Sequence, residues 1–279
     1  MLELLIVPLV LVTIGFVFSV QQDARQTAIE NRRAEQARKL ADQQAEEERK
    51  IADRRTEQAT LQAYLNQIGT LLLDRNLREA DVDSDVRRLA RGRTLVVFDA
   101  VTAFRQVRAL RFLYEAGLIQ AAPGKQPVIS LDNTSLPGIQ LPGRHFLCGA
   151  HLHQANLSEA DLDHADLGHA DLAGAELRYT DLERANLEGA NLEGAYLKGA
   201  RLGEAILIDA NLSSAENNQF RRGVDLSHAD LSNANLTGAD LEGADLSGAN
   251  LEGASVTEEQ LAECESLQGA TMPDGTKHP

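Results

Sequence analysis

From Ala155 to Leu212 a small residue, nearly always alanine, is followed two positions later by a large aliphatic at every fifth step, as in ANLEGANLEGAYLKGA from Ala185 to Ala200. A second tract holds the same beat from Leu226 to Val256, shifted in phase by one residue. An α-helix turns about 500° over five residues and leaves successive leucines roughly 140° apart, so it gathers them on no face. A strand alternates every two residues, and an odd period defeats it unless the chain turns. The pattern fits a short bridging segment followed by a corner, repeated without pause. Leucine and the alanine before it point inward, and the other three residues face out. Asp or Asn just before the leucine ties its side chain to the corner backbone. Gly two places after it, as at Gly189, Gly194 and Gly199, accepts the dihedrals a tight corner demands.

Units of the form A(D/N)Lxx resemble the pentapeptide repeat family, and the resemblance extends over Ile129 to Met272, about half of the 279 residues. It implies a right-handed quadrilateral β-helix with four pentads per coil. About seven coils are expected, roughly 34 Å at ~4.8 Å between stacked layers. The expected fold class is therefore an all-β right-handed quadrilateral β-helix solenoid, preceded by an α-helical region with an N-terminal transmembrane helix.

That transmembrane helix is read from Leu4 to Val20, seventeen residues without a charge. As a helix they reach about 26 Å, enough for a thin bilayer. No basic residue precedes the run, and no small-x-small cleavage site follows it. Arg25, Arg32, Arg33, Arg38 and Lys39 come after it, so the positive-inside rule places the C-terminal bulk in the cytoplasm of a single-pass bacterial inner-membrane protein. From Ile29 an eleven-residue period leads with Ile29, Leu40 and Ile51, which keeps a thin apolar stripe on one face of a nearly straight rod. Residues 29–61 are expected either to self-associate in parallel or to stand as a single charged helix.

At Leu61 the pattern thickens. Leu61, Tyr64, Leu65, Ile68, Leu71 and Leu72 fall at helical spacing, and two further helical runs, about Asp83 to Val97 and Val101 to Ala116, supply partners for them. Gly117 is placed to end the last one. The arginines of this module, Arg87, Arg88, Arg91, Arg93, Arg105, Arg108 and Arg111, are expected to form a solvated face paired with Glu79, Asp81 and Glu115, or else to meet anionic lipid or a partner. LQAYL, LLLD, RTL and RFLYEAGLI in this region are similar to a membrane-attached bacterial subgroup of the same family. The domains expected are a transmembrane helix (1–20), a charged spacer (21–60), a helical module (61–120), a linker (121–128), the repeat β-helix (129–256) and a C-terminal cap and tail (257–279).

Charge separates the halves. Of a net −15, residues 151–279 carry 24 acidic and 7 basic side chains, so the repeats alone hold −17. Such a field repels nucleic acid and attracts basic partners. No direct nucleic-acid binding is expected. Cys148 and Cys264 are too few for a disulfide framework. His145, His151, His153, His164 and His169 vary along the wall rather than converge, and no nucleophile elbow, phosphate loop or paired acid is present. No catalytic, metal or cofactor residues and no cofactors are expected, and the chain reads as a non-enzyme.

Two places stand out for docking. The interruption AENNQFRRGVDL carries Phe220, Arg221 and Arg222, a protruding basic loop or a corner bulge with Phe220 inward; Tyr196, Ile206 and Ile208 form a modest apolar spot. VTEEQLAEC breaks the period with a capping-box signature at Thr257 and Gln260, as an end cap or a partner-binding helix. The first expectation for function is a membrane-tethered interaction scaffold presenting an acidic rod to a basic or membrane-embedded protein. The alternatives are a DNA-mimicking modulator of a topoisomerase or other DNA-binding protein, and an accessory or sensor subunit of a membrane protein.

Overall fold

The computed structural model describes residues 3–121, 125–141, 147–213 and 224–279; within 3–30, side chains are described only at Phe18, Ser19, Gln21, Gln22, Arg25 and Gln26. The chain divides into two compact units, Met1–Thr56 and Glu57–Pro279. In the first, the polypeptide is one helix, part of α1 (Glu3–Asp74). Its described surface is solvated, with Leu40 and Ile51 exposed and the pairs Lys39–Glu35 and Lys50–Glu46 each closing at 2.7 Å across one turn.

Among the described residues no helix is long and apolar enough to cross a membrane. That overturns the transmembrane helix expected over residues 1–20, and with it the single-pass inner-membrane placement, the membrane contact through residues 4–20 and the membrane-embedded partner. The apolar run is seventeen residues where a span asks for about 20, and the helix does not stop at its end but continues into the charged repeat. The side chains of Leu4–Val17 themselves lie outside the described residues.

In the second unit the end of α1 packs with α2 (Asp85–Ala100) and α3 (Ala103–Glu115). The LQAYL segment is thus the last part of a 72-residue helix rather than a separate element. Ser84 caps α2, accepting from the Arg87 N–H. Helix α3 ends in a Schellman motif: Leu118 N–H donates to Leu113 O at 2.9 Å, Gly117 N–H donates to Tyr114 O at 2.8 Å, and Gly117 sits at φ 64°. Tyr64, Ile68, Leu77, Phe98, Leu110 and Leu113 fill the core between these helices.

The repeats wind as a stack of corners. Bridges join residues twenty apart, Asp161 to Asp181 and Asp181 to Arg201, so four pentads complete one coil. Asn186 N–H donates to Ala165 O (2.9 Å) in the coil before, while Leu187 N–H donates to Ile206 O (2.7 Å) and Gly189 N–H to Ile208 O (2.8 Å) in the coil after. Ala190 N–H closes the corner on Leu187 O at 3.0 Å, with Gly189 at φ 61°, the positive value a type II turn needs at its third residue. With the Glu188 N–H donating to Asn186 Oδ1 at 3.1 Å, every backbone donor of this pentad is satisfied, which a buried main chain requires. Leu187, Leu192 and Leu197 are fully buried, and the alanines two places before each are at most 1% exposed.

The expected all-β class needs correction. Among the described residues there are no β-strands; the coils pair only through isolated bridges, nearly all parallel. The reason lies in the period: one residue of five bridges to its neighbours, and the turn consumes the rest before a second can pair. The regular elements are helices, and the repeats are a bridge-and-turn coil rather than a sheet.

The phase shift is an insertion. Tyr196 bridges Asp225, twenty-nine positions on instead of twenty, and Arg201 to Asp230 repeats the step. The two degenerate pentads read near Asn217 and Arg222 lie outside the described residues. At the C-terminal side α4 (Glu258–Ala262) carries the Thr257–Gln260 capping box, and the Gln260 amide donates to Leu236 O (2.7 Å) and Ala239 O (2.8 Å). The tail then folds back, Thr271 bridging Lys277 antiparallel and Gly269 N–H donating to His278 O at 3.0 Å. Those bonds occupy part of an edge that an open coil would leave unpaired.

Candidate functional site

The candidate surface is the outer wall of the coil, because the interior is filled with leucine and alanine and charged side chains stand outside it. Each face repeats one bridging position. One carries Asp161, Asp181, Arg201, Asp230 and Asn250; the next but one carries His151, Asp171, Asn191, Asn211 and Asp240. These Asp and Asn side chains are tied down before they meet any partner. Asp161 Oδ1 accepts from the Asp163 N–H (3.3 Å), Asp230 Oδ1 from the Ser232 N–H (3.0 Å) and Asp240 Oδ1 from the Glu242 N–H (3.0 Å). Asn fills the same role at Asn186 and Asn211, whose Oδ1 atoms accept from Glu188 N–H (3.1 Å) and Ser213 N–H (3.0 Å). The corner needs an oxygen there and not a charge. The negative charges are therefore additional to what folding asks.

Between the bridges, Asp163, Glu183, Glu193, Glu242 and Glu252 project from the position after each leucine. Three arginines of the wall, Arg178, Arg184 and Arg201, pair with its own carboxylates. Arg201 pairs with Asp181 at 2.8 Å and, closer, with Glu183, and Arg184 reaches Asp163 at 3.2 Å. The field of Asp181 first, then the Glu183 hydrogen bond, holds the Arg201 guanidinium more firmly protonated than usual. Column packing also limits what side chains stand at the corners. Gly199, at φ 68°, sits above Tyr179, whose ring a Cβ would meet at 2.7 Å.

The docking residues singled out in the sequence do not come together. Tyr196 is half-buried, with the Arg178 guanidinium 5.2 Å from its ring centroid. Ile206 is 40% exposed and Ile208 half-buried. Ten residues are half of a four-pentad coil, so Tyr196 and Ile206 occupy opposite faces and make no shared spot. Phe220, Arg221 and Arg222 lie outside the described residues, as does His145. Among the described residues no group of His, Cys, Asp or Glu is arranged to hold a metal. The two cysteines are half-buried free thiols, Cys264 pushed up to about 11 by burial and Cys148 raised by burial and then by Asp166, so neither is an activated nucleophile.

Residues 150–189, 185–216 and 222–257 match the pentapeptide repeats family in eight copies, and the repeat segment belongs to it. What the sequence resemblance got right is that signature; its membrane-attached and β-helical form is set aside by the absence of strands and of a spanning helix among the described residues. No curated protein matches the chain. Among solved structures, alr5209, a pentapeptide repeat protein from Nostoc PCC 7120, is 41% identical over 35% of this chain and 70% of its own, with a TM-score of 0.29. HetL, a pentapeptide repeat protein involved in heterocyst differentiation regulation from Nostoc sp. strain PCC 7120, is 32% identical over 61% of this chain and 98% of its own, with a TM-score of 0.21. QnrB1, a plasmid-mediated fluoroquinolone resistance protein, is 20% identical over 52% and 78%, with a TM-score of 0.28. The repeats are of a non-catalytic family, and the chain is not an enzyme.

Proposed function

We propose that the protein is a DNA-mimicking modulator, which occupies the duplex-binding surface of a topoisomerase or another DNA-binding protein. The membrane-tethered scaffold expected from the sequence is set aside, since no spanning helix is found among the described residues to tether it. The observation that supports mimicry is linear charge density. One face of the coil stacks seven levels, Ser135, Asn156, Glu176, Tyr196, Asp225, Asp245 and Ser266, and residues 129–279 carry 25 acidic against 8 basic side chains. At ~4.8 Å per level the stack is about 34 Å long, or about one net negative charge per ~2 Å of axis. Duplex DNA carries one per ~1.7 Å. A basic groove shaped for a duplex finds a comparable charge per unit length here.

The test separates charge from fold. Asp161→Asn, Asp171→Asn, Asp230→Asn and Asp240→Asn, made together, keep the corner oxygens that accept from the backbone and remove four charges. The full chain is titrated into a gyrase supercoiling assay at 50 and 200 mM salt, with and without competing duplex. Inhibition by the unaltered protein that weakens with salt and with added duplex, and falls tenfold or more in the neutralised variant, is expected. No inhibition, or equal inhibition by both proteins, refutes mimicry.

A further inference from the structure

A concave site of the opposite sign lies between α2 and the segment that leads into the first coil. Arg87, Arg88 and Arg91 line it from the helix, and Gln126, Pro127, Val128, Ser130 and Asp132 close it from the other side, around a cavity of about 240 Å³. Arg87 and Arg91 are one helical turn apart, so their side chains lie side by side on the same face. Against these three guanidinium groups the lining sets one carboxylate, Asp132, whose Oδ1 already accepts from the His153 N–H at 3.1 Å.

The two inner arginines are under-used. Among the described residues Arg87 reaches only backbone carbonyls, Pro127 O at 3.3 Å and Arg78 O at 3.4 Å, and Arg91 donates to Asp132 O at 3.3 Å. All three bonds are long for a charged donor. The Nε–H groups of both are buried with no acceptor among the described residues. Arg88, the outer one, is held by Asp85 at 2.5 Å. Burying guanidinium N–H groups without acceptors is costly, and a fixed pair of planar forks beside a cavity suits a tetrahedral oxyanion.

We propose that this cleft is a binding site for a small phosphate-class dianion, free phosphate or a phosphomonoester, held by Arg87 and Arg91 with Arg88 at the mouth. Bound there, it ties α2 to the chain entering the first coil, at the junction where the helices meet the repeats. The site is independent of the acidic wall and of mimicry.

Thermal unfolding of the full chain is followed against inorganic phosphate, with sodium chloride at matched ionic strength as control and phenyl phosphate as the monoester probe. A saturable rise in Tm with phosphate and not with chloride is expected, because a ligand that binds only the folded state stabilises it by mass action. Gln126→Glu places a carboxylate at the exposed rim without touching the arginines, and is expected to weaken phosphate at least tenfold at unchanged Tm in its absence. Arg87→Gln with Arg91→Gln is expected to abolish the rise. Should the double variant fail to fold, Gln126→Glu alone decides. Equal shifts by phosphate and chloride, no saturable shift, or undiminished binding by Gln126→Glu overturns the proposal; a phenyl phosphate shift assigns monoesters, and its absence beside a phosphate shift assigns the free ion.

Discussion

The repeat coil and the three helices beside it are stabilised by opposite strategies. In the coil the interior is Leu and Ala with scarcely a polar atom, and the specificity resides in the backbone. Where a polar side chain does enter, it copies a backbone bond: Thr180 stands in an alanine position and its hydroxyl donates to Leu157 O at 2.9 Å. The helical module instead relies on single polar contacts that nothing repeats. Tyr64 and Thr94 meet at 2.8 Å in the core, the buried Gln106 amide donates to Phe98 O (2.7 Å) and to Ser135 O (3.0 Å), and Glu57 joins Arg105 and Thr102 across α1 and α3. A coil distributes its stability over many equivalent units, whereas the module concentrates it in a few contacts.

Breaking the coil from inside gives the largest effect. Leu187→Asp puts a carboxylate where no water reaches and no partner exists, and loss of cooperative unfolding or of soluble protein is expected; Leu187→Ala removes the same packing at a cost of about 3 kcal/mol, read from urea denaturation. If the two substitutions cost the same small amount, the leucine column faces water.

Glycine corners sharpen the comparison, because the same substitution meets different neighbours. At Gly149, φ 64°, a Cβ would lie 2.2 Å from the backbone oxygen of Ala121, whose N–H donates to Gly149 O at 3.0 Å beside the Gln120–Ala150 bridge. At Gly199 the obstacle is the ring of Tyr179, 63% exposed and free to swing outward. Gly199→Ala is expected to cost about 1 kcal/mol, the left-handed penalty alone, and Gly149→Ala distinctly more. Paired melting curves would show it, and an equal cost would mean that the Ala121 segment yields as readily as an exposed ring.

In the module, Tyr64→Phe removes a hydroxyl whose burial holds its phenol well above the ordinary range, while Thr94 keeps its bond to Ala90 O at 2.9 Å. A loss of about 1 kcal/mol is expected. Thr257→Ala, which opens the capping box of α4, should cost a similar amount. The first should loosen hydrogen-exchange protection in α1 and α2, the second only in the final coils, since stacked units pass disturbance to neighbours alone.

What the sequence makes legible follows the same division. The fate of Leu187, Leu192 and Leu197 and the corner role of Asp and Asn can be read from the period, since each unit repeats the evidence of the last. A phase change of one residue cannot be read so well: nine added residues and two worn pentads short by one look alike, and only the bridge from Tyr196 to Asp225 distinguishes them. Tyr196 and Ile206 look close until the four corners of a coil are counted. Hydropathy marked the run from Leu4 to Val20 but not where its helix ends. The arginine cleft was hidden for a different reason. Arg87 and Arg91 look like a solvated helix face until the chain returns at Pro127 to Asp132, forty residues later, and covers them.

The smallest effect tests the coil's far end by pH. Burial first, and the nearby Glu263 second, push the Cys264 thiol up to about 11 from an ordinary 9.0. The folded state therefore holds its proton where the unfolded chain has released it, so the contribution is complete below pH 9 and is lost as pH rises toward 11. Cys264→Ala should flatten that alkaline decline slightly while leaving stability at pH 7 nearly unchanged. In the unaltered protein, iodoacetamide at pH 8 should label Cys264 far more slowly than a free thiol. Labelling at the free-thiol rate would mean that α4 lifts from the coil, and that the C-terminal edge is open to a partner rather than sealed.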